Sequence, residues 1–292
     1  MRNVLKYYYN LTFDDIEEHD DYAILRIMED IYIFKKFIQD EEETKYISSL
    51  LIKNQIPVHL MVYNKENSLY TLFEKEKYVL IKLQNIAIEI DNDFIMIPTS
   101  ANIVDVAGLW SKKIDYYMQQ IRELGLGKEI LINAFNYYIG MAENAISLYN
   151  RSMKLSGEVG YAISHRRIYY PNYSINYNDP TNMLIDIRIR DIAEYSKSRF
   201  FKSDFCVDNL IDMVYKYNLN NKEVNFLYAR LFYPTYFFDI FEDAIISKKD
   251  SNDVLKILDK RKKYEEFLYA FYIKLKDKFD IFEINWIKNR TC

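Results

Sequence analysis

Glycine is scarce and unevenly placed: the 292-residue chain has six, and none precedes Gly108. A Walker-type loop, which cradles phosphate with the backbone N–H groups of clustered glycines, is therefore excluded from the first part of the chain, and none occurs later. Cysteine is limited to Cys206 and Cys292, too few for a disulfide framework. That usage suits a reducing, cytoplasmic compartment. The three histidines, His19, His59 and His165, are scattered without paired-ligand spacing, so a zinc site is not expected. No GxSxG elbow and no CxxC pair is present. The first residues, MRNVLKYYYNLTFDD, hold no apolar core of signal-peptide length followed by a small-residue cleavage site. The most apolar stretch, Ile130–Tyr149, carries three Asn and one Glu, which marks a core helix and not a membrane span.

Strong charge of one sign is missing too. The formal net charge of −4 argues against a nucleic-acid partner. The basic run KILDKRKK (Lys256–Lys263) reads as a solvated helix face. What the chain has in excess is aromatic surface, 28 tyrosines and 18 phenylalanines, at helical spacing on apolar faces. That placement predicts core packing and not base stacking. With half its residues hydrophobic and 28% charged, the chain reads as a globular fold with a large core.

The order of elements divides the chain. Tyr22–Met28 and Ile31–Ile38 read as strands around a Glu29-Asp30 turn, and Glu41–Lys53 as a helix with Pro57 beyond its end. Val58–Tyr63, Ser68–Glu74 and Tyr78–Leu83 alternate as strands, and Ile86–Ile97 is a candidate for more. From about Leu109 the pattern turns helical: Trp110–Leu124 and Lys128–Arg151 are separated by the GLG punctuation at Gly125–Gly127. Ser156–Asp186 is irregular, and helical patterns return from Asp191, including Lys222–Ile246 and Asp253–Lys278. The composition shift near residues 98–110 predicts a small β-rich lobe with one helix at 1–107 and a helical lobe at 108–292.

Within the irregular region, SHRRIYYPN (Ser164–Asn172) is similar to the H-R-D-L-x-x-x-N catalytic loop of kinases. His165, Arg166 and Asn172 fit that template, and Arg167 stands where the catalytic aspartate belongs. A guanidinium, with a pKa above about 12, cannot take up a proton near neutral pH. Losing a positioned base typically costs roughly 10²–10⁴-fold in rate. Two further stretches carry a likeness of their own: MLIDIRIRDIAEY (Met183–Tyr195) resembles a metal-aspartate strand followed by an Arg-Asp-hydrophobic-Ala-Glu helix start, and ARLFYPTYFFDIFEDAI (Ala229–Ile245) resembles an ar-L-x-f-P-x-x-f segment. A fourth, YIFKKF (Tyr32–Phe37) followed by EEETKYISSLLIKNQIPV (Glu41–Val58), supplies a strand lysine and a helix glutamate.

Together these stretches resemble the aminoglycoside and choline phosphotransferases of the protein-kinase-like superfamily, and within them the spore-coat kinase-like relatives of the CotS and YutH types. The resemblance implies an α+β, two-lobed fold, with a small antiparallel β lobe and a larger, mainly helical one. It implies that Lys35 or Lys36 contacts nucleotide phosphates, only one of the two pointing inward because strand neighbours face opposite ways. Glu43 would orient that lysine, His165 would brace the catalytic loop, and Arg167 would replace its base. Asn172 and Asp186 are placed like the metal ligands, although Ile187-Arg188 follow the aspartate where the family usually has an aromatic or acidic residue. Asp191 looks like the aspartate that caps the next helix, with Glu194 at capping-box spacing.

ATP and magnesium are the cofactors the resemblance implies, or none if phosphoryl transfer is lost. The reading it favours is a pseudokinase that binds a protein partner or a nucleotide in spore-coat assembly, in the cytoplasm or the coat. Two alternatives stay open: an active phosphotransferase whose base comes from Asp179 or Glu194, and a structural protein with a filled cleft.

Overall fold

The structure is a computed structural model that describes residues 1–13, 15–19, 22–84, 94–100, 105–123, 129–168, 177–203, 205–246 and 252–291. The chain divides into two units. The first comprises Met1–Asp93, Ile163–Arg167 and Asn172–Ile185; the second comprises Phe94–Ala162, Ile168–Pro171 and Asp186–Cys292.

The first unit is built on a six-stranded antiparallel sheet. Its strands are β1 (Asp15–Glu18), β2 (Tyr22–Ile27), β3 (Asp30–Lys36), β4 (Leu60–Val62), β5 (Tyr70–Phe73) and β6 (Glu76–Lys82). They run in the order β1-β2-β3-β6-β4, with β5 paired to the start of β6. The alternation read in the sequence produces two buried faces. On one, Ala23, Leu25, Phe34, Tyr78 and Leu80 pack with Leu5 and Tyr9 of helix α1 (Arg2–Tyr9). On the other, Phe37, Val79 and Ile81 pack with Leu69. Lys35 pairs in register with Val79, and so lies on this second face.

Helix α2 spans Glu41–Lys53 as its periodicity predicts. The Asp40 side chain caps it by accepting from the Glu43 N–H at 2.9 Å. Three glutamates fill its first turn, where the helix dipole favours negative charge. Helix α1 is not apparent from local propensity, because its YYY run reads as strand. Spacing decides instead: Leu5 and Tyr9 stand four residues apart on one buried face.

The second unit is helical: α3 (Val106–Glu123), α4 (Glu129–Met153), α5 (Arg190–Lys202), α6 (Val207–Lys216), α7 (Asn221–Phe232), α8 (Thr235–Ile246), α9 (Asn252–Leu275) and α10 (Asn285–Thr291). Its interior is aromatic, as the Tyr and Phe excess predicts. Tyr117 stacks on Phe238 at 4.8 Å, and Tyr138 on Phe237 at 4.0 Å. The single helical pattern expected over Lys222–Ile246 is two helices. Pro234 offers no N–H and ends α7, and the chain restarts at Thr235.

A second sheet, β7 (Pro98–Thr99), β8 (Tyr161–His165) and β9 (Met183–Ile187), orders the stretch read as irregular. The division between units passes through β8 and β9. The GLG punctuation and most of the Ile86–Ile97 candidate strand fall outside the described residues; residues 94–97 form no strand. Among the described residues no helix is long and apolar enough to cross a membrane.

Candidate functional site

In the first unit, β8 delivers His165 to a buried position. Its Nε2 lies 2.9 Å from the Tyr177 carbonyl oxygen, and its ring stacks on Tyr177 at 4.3 Å. The backbone after it is tied down twice. The Arg166 N–H donates to the Asn182 carbonyl at 2.7 Å, and the Asn182 side chain donates to the Arg167 carbonyl at 3.1 Å. The Arg167 guanidinium is half-buried and donates to the Arg166 carbonyl at 2.9 Å. Asn172 lies outside the described residues.

Lys35 and Lys36 differ as strand geometry requires: Lys35 is half-buried and Lys36 exposed. The Lys35 ammonium donates to Oδ2 of the buried Asp179. Oδ1 of Asp179 caps the short 3₁₀ turn Pro180–Asn182, accepting from the Thr181 N–H at 2.9 Å and its hydroxyl at 2.7 Å. Asp179, read as an alternative base, is thus a buried acceptor of three donors. Glu43 accepts from the Ile185 N–H at 3.4 Å.

In the second unit, Asp186 at the end of β9 is enclosed by cations. Its Oδ1 accepts from the Ile187 N–H at 2.7 Å. Its Oδ2 accepts from Arg190 Nη1 at 2.7 Å and from Arg230 Nη2. Burial pushes this carboxyl upward, but the two guanidinium groups and the hydrogen bonds outweigh it and hold the pKa below the usual carboxylate range. Arg230 reaches in from α7. Its Cζ lies 5.8 Å from the ring of Trp110, which stacks on Tyr233 at 4.2 Å.

The cluster continues inward. Arg230 Nη1 lies 4.0 Å from Oε1 of Glu194. Buried Lys197 donates to that same oxygen at 2.9 Å, and to the carbonyls of Arg230 and Tyr233 at 3.0 and 3.1 Å. The lysine therefore satisfies the Arg230 carbonyl, which the end of α7 leaves open, and shares the Tyr233 carbonyl with the Thr235 N–H. Thr235 donates its hydroxyl to Glu194 Oε2 at 2.8 Å. Helix α5 starts at Arg190, with Ile189 at its cap, so Asp191 sits inside the first turn and the capping box expected with Glu194 does not form. Nearby, Arg188 grips buried Glu223 through two hydrogen bonds of 2.6 Å, and that glutamate also accepts from Gly160 and Asn220 N–H groups.

A divalent cation of the magnesium type takes oxygen ligands with lone pairs to spare. Asp186 has little to offer such an ion: Oδ2 already accepts two guanidinium groups and Oδ1 the Ile187 N–H, which leaves one lone pair, on Oδ1. Among the described residues no group of three or more His, Cys, Asp or Glu could hold a metal ion. The arginines responsible were not apparent as partners in the sequence. Arg230 belongs to ARLFYPTYFF, whose resemblance is visible, but its role depends on an aspartate 44 residues away.

Residues 101–271 match the family described as "Spore coat putative kinase YutH". The chain belongs to that family. Over 268 residues the family member is 25% identical to the endospore coat-associated protein YutH of Bacillus subtilis, covering 77% of this chain and 78% of that one. In fold it is similar to the aminoglycoside phosphotransferase of Alicyclobacillus acidocaldarius, with a TM-score of 0.55, 14% identity, and 95% and 96% of the two chains covered. It is also similar to the choline kinase LicA of Streptococcus pneumoniae, with a TM-score of 0.51, 14% identity, and 92% and 98% covered. The α+β kinase-like fold, with a small antiparallel sheet and a larger helical part, is the fold of these two phosphotransferase structures.

Proposed function

We propose that this family member is a pseudokinase, a kinase-like fold without efficient phosphoryl transfer that serves as a binding scaffold for a protein partner in spore-coat assembly. The observation that carries the reading is the double arginine clamp on Asp186, the residue placed like the metal aspartate. Phosphoryl transfer in kinases depends on cations that neutralise charge developing on the phosphate. A carboxylate already neutralised by two guanidinium groups has little left to offer such a cation.

Two further features support it. Arg167 stands at the base position, and a guanidinium accepts no proton there. The Lys35 ammonium is paired with Asp179, so nucleotide phosphate would have to compete with a buried carboxylate for it. The coat location and a protein partner rest on the relative's name, endospore coat-associated protein.

The test is a thermal-shift titration with ATP, with and without magnesium, run beside a phosphotransfer assay over a panel of hydroxyl acceptors. The expected result is no magnesium-dependent shift and no turnover. A ligand present at 100 times its Kd would add about 2.7 kcal/mol, well within detection. Steady turnover that Asp186→Asn abolishes would overturn the reading in favour of an active phosphotransferase. For the coat assignment, a tagged chain should fractionate with the coat of a sporulating host; exclusive recovery in the cytosolic fraction would remove it.

A further inference from the structure

Asp186 and Glu194 are two buried carboxylates, and the guanidinium of Arg230 lies between them. One of its nitrogens donates to Asp186 Oδ2, and the other stands 4.0 Å from Glu194 Oε1. Arg190 donates to the same Oδ2, and Lys197 holds the far carboxylate. The two arginines come from different helices, α5 and α7, yet converge on one oxygen. In charge, these two carboxylates face three cations and carry one net positive charge. All five side chains are at most 14% exposed, so solvent cannot screen the balance.

We infer that Arg190 and Arg230 together form a built-in substitute for a divalent cation, filling with guanidinium groups the position beside Asp186 that a metal ion would otherwise hold. Three points separate this from an ordinary structural ion pair. The acceptor is an aspartate that the sequence resemblance places like a metal ligand. Both arginines bind the oxygen that faces away from the Ile187 N–H. A second carboxylate, Glu194, stands on the other side of the Arg230 fork, as a second oxygen donor would.

The charge balance selects the variant that tests this. Removing Arg230 alone leaves the group neutral, and a divalent cation would then overcharge it. Removing both arginines leaves one net negative charge, and a divalent cation restores the original one positive. The Arg190→Met, Arg230→Met double variant therefore exposes a latent site with oxygen ligands of the kind hard cations take. The inference uses the same aspartate as the pseudokinase reading but stands or falls separately. It concerns cation binding in a variant, whereas that reading concerns nucleotide and turnover in the natural chain.

The probe is Mn²⁺ alone, followed by electron paramagnetic resonance as loss of the free-ion signal. The double variant should bind Mn²⁺ about tenfold or more tightly than the natural chain, and adding Asp186→Asn should remove the gain. If the double variant is unfolded without metal, circular dichroism should show helix returning when it is refolded with Mn²⁺. A folded double variant with no gain in Mn²⁺ binding overturns the inference, and so does a gain that survives Asp186→Asn. A double variant that stays unfolded at saturating Mn²⁺ overturns it as well, because the cation then cannot do what the arginines do.

Discussion

Lys35 gives its ammonium to Asp179, 144 residues further along the chain, and Glu43 takes the backbone N–H of Ile185 instead. The contact selects Lys35 over its neighbour Lys36 as the inward-facing lysine of β3. Asp179 is 2% exposed, so removing Lys35 strands a buried carboxylate. Lys35→Met should cost about 1–3 kcal/mol in urea unfolding. A double-mutant cycle with Asp179→Asn should return a coupling of roughly 0.5–3 kcal/mol; zero coupling would count against the pair.

Acid should loosen the fold through Asp186 and Glu223. For Glu223, burial pushes the pKa up, and the Arg188 pair and two backbone N–H groups more than reverse it. For Asp186 the two arginines have the same effect. A carboxylate whose folded pKa is depressed contributes stability that is complete above its unfolded value of about 4 and is lost as pH falls through the lower, folded value. The urea midpoint should therefore change little above about pH 5 and drop below about pH 4. Glu223→Gln should flatten the drop; an unchanged slope would assign the acid sensitivity elsewhere.

Lys197 should be among the most costly surface-remote substitutions. Its ammonium meets Glu194, Thr235 and the carbonyls of Arg230 and Tyr233, all within 3.1 Å. Lys197→Met would take from Glu194 its nearest cation, with Arg230 remaining at 4.0 Å, and leave the Arg230 carbonyl open, an expected loss of about 3 kcal/mol. Lys262→Met, on the exposed side of α9, is the control, at about 0.5 kcal/mol or less.

The Arg188–Glu223 clasp ties β9 to the first turn of α7. Glu223→Ala should cost about 1–3 kcal/mol. It should also speed amide exchange at Gly160 and Asn220, whose N–H groups the carboxylate accepts. Exchange unchanged at both amides would show that water replaces the carboxylate without penalty.

Local signals in the sequence were enough for much of the fold. Helix α2 was bounded at both ends by its own residues, with apolar positions at helical spacing, acids in the first turn and Pro57 beyond. The β2–β3 hairpin followed from two β-branched runs around a short turn, which the structure places at Met28 and Glu29, with Met28 in the left-handed region. The break at Pro234 is equally local, but the apolar period continues on both sides of it and masks it. Helix α1 was hidden by three tyrosines whose strand preference is overridden by the packing of Leu5 and Tyr9.

The candidate site was legible only as a list of positions. SHRR and MLID could be aligned with a kinase template, but which charges would meet depended on contacts 44 and 144 residues apart. No periodicity encodes such pairings. Arg230 looked like one charge in an aromatic segment, and its partner was an aspartate already assigned to a metal.

The first unit is not made in one piece. Its sheet and α2 lie within residues 1–93, but the carbonyl that receives the His59 N–H, the carboxylate that receives Lys35 and the N–H that reaches Glu43 belong to residues 178–185. A ribosome makes α3 and α4 in between. The nascent sheet must therefore wait, exposed, for a fastener synthesised well after it, so closing this unit is a late event in the birth of the chain.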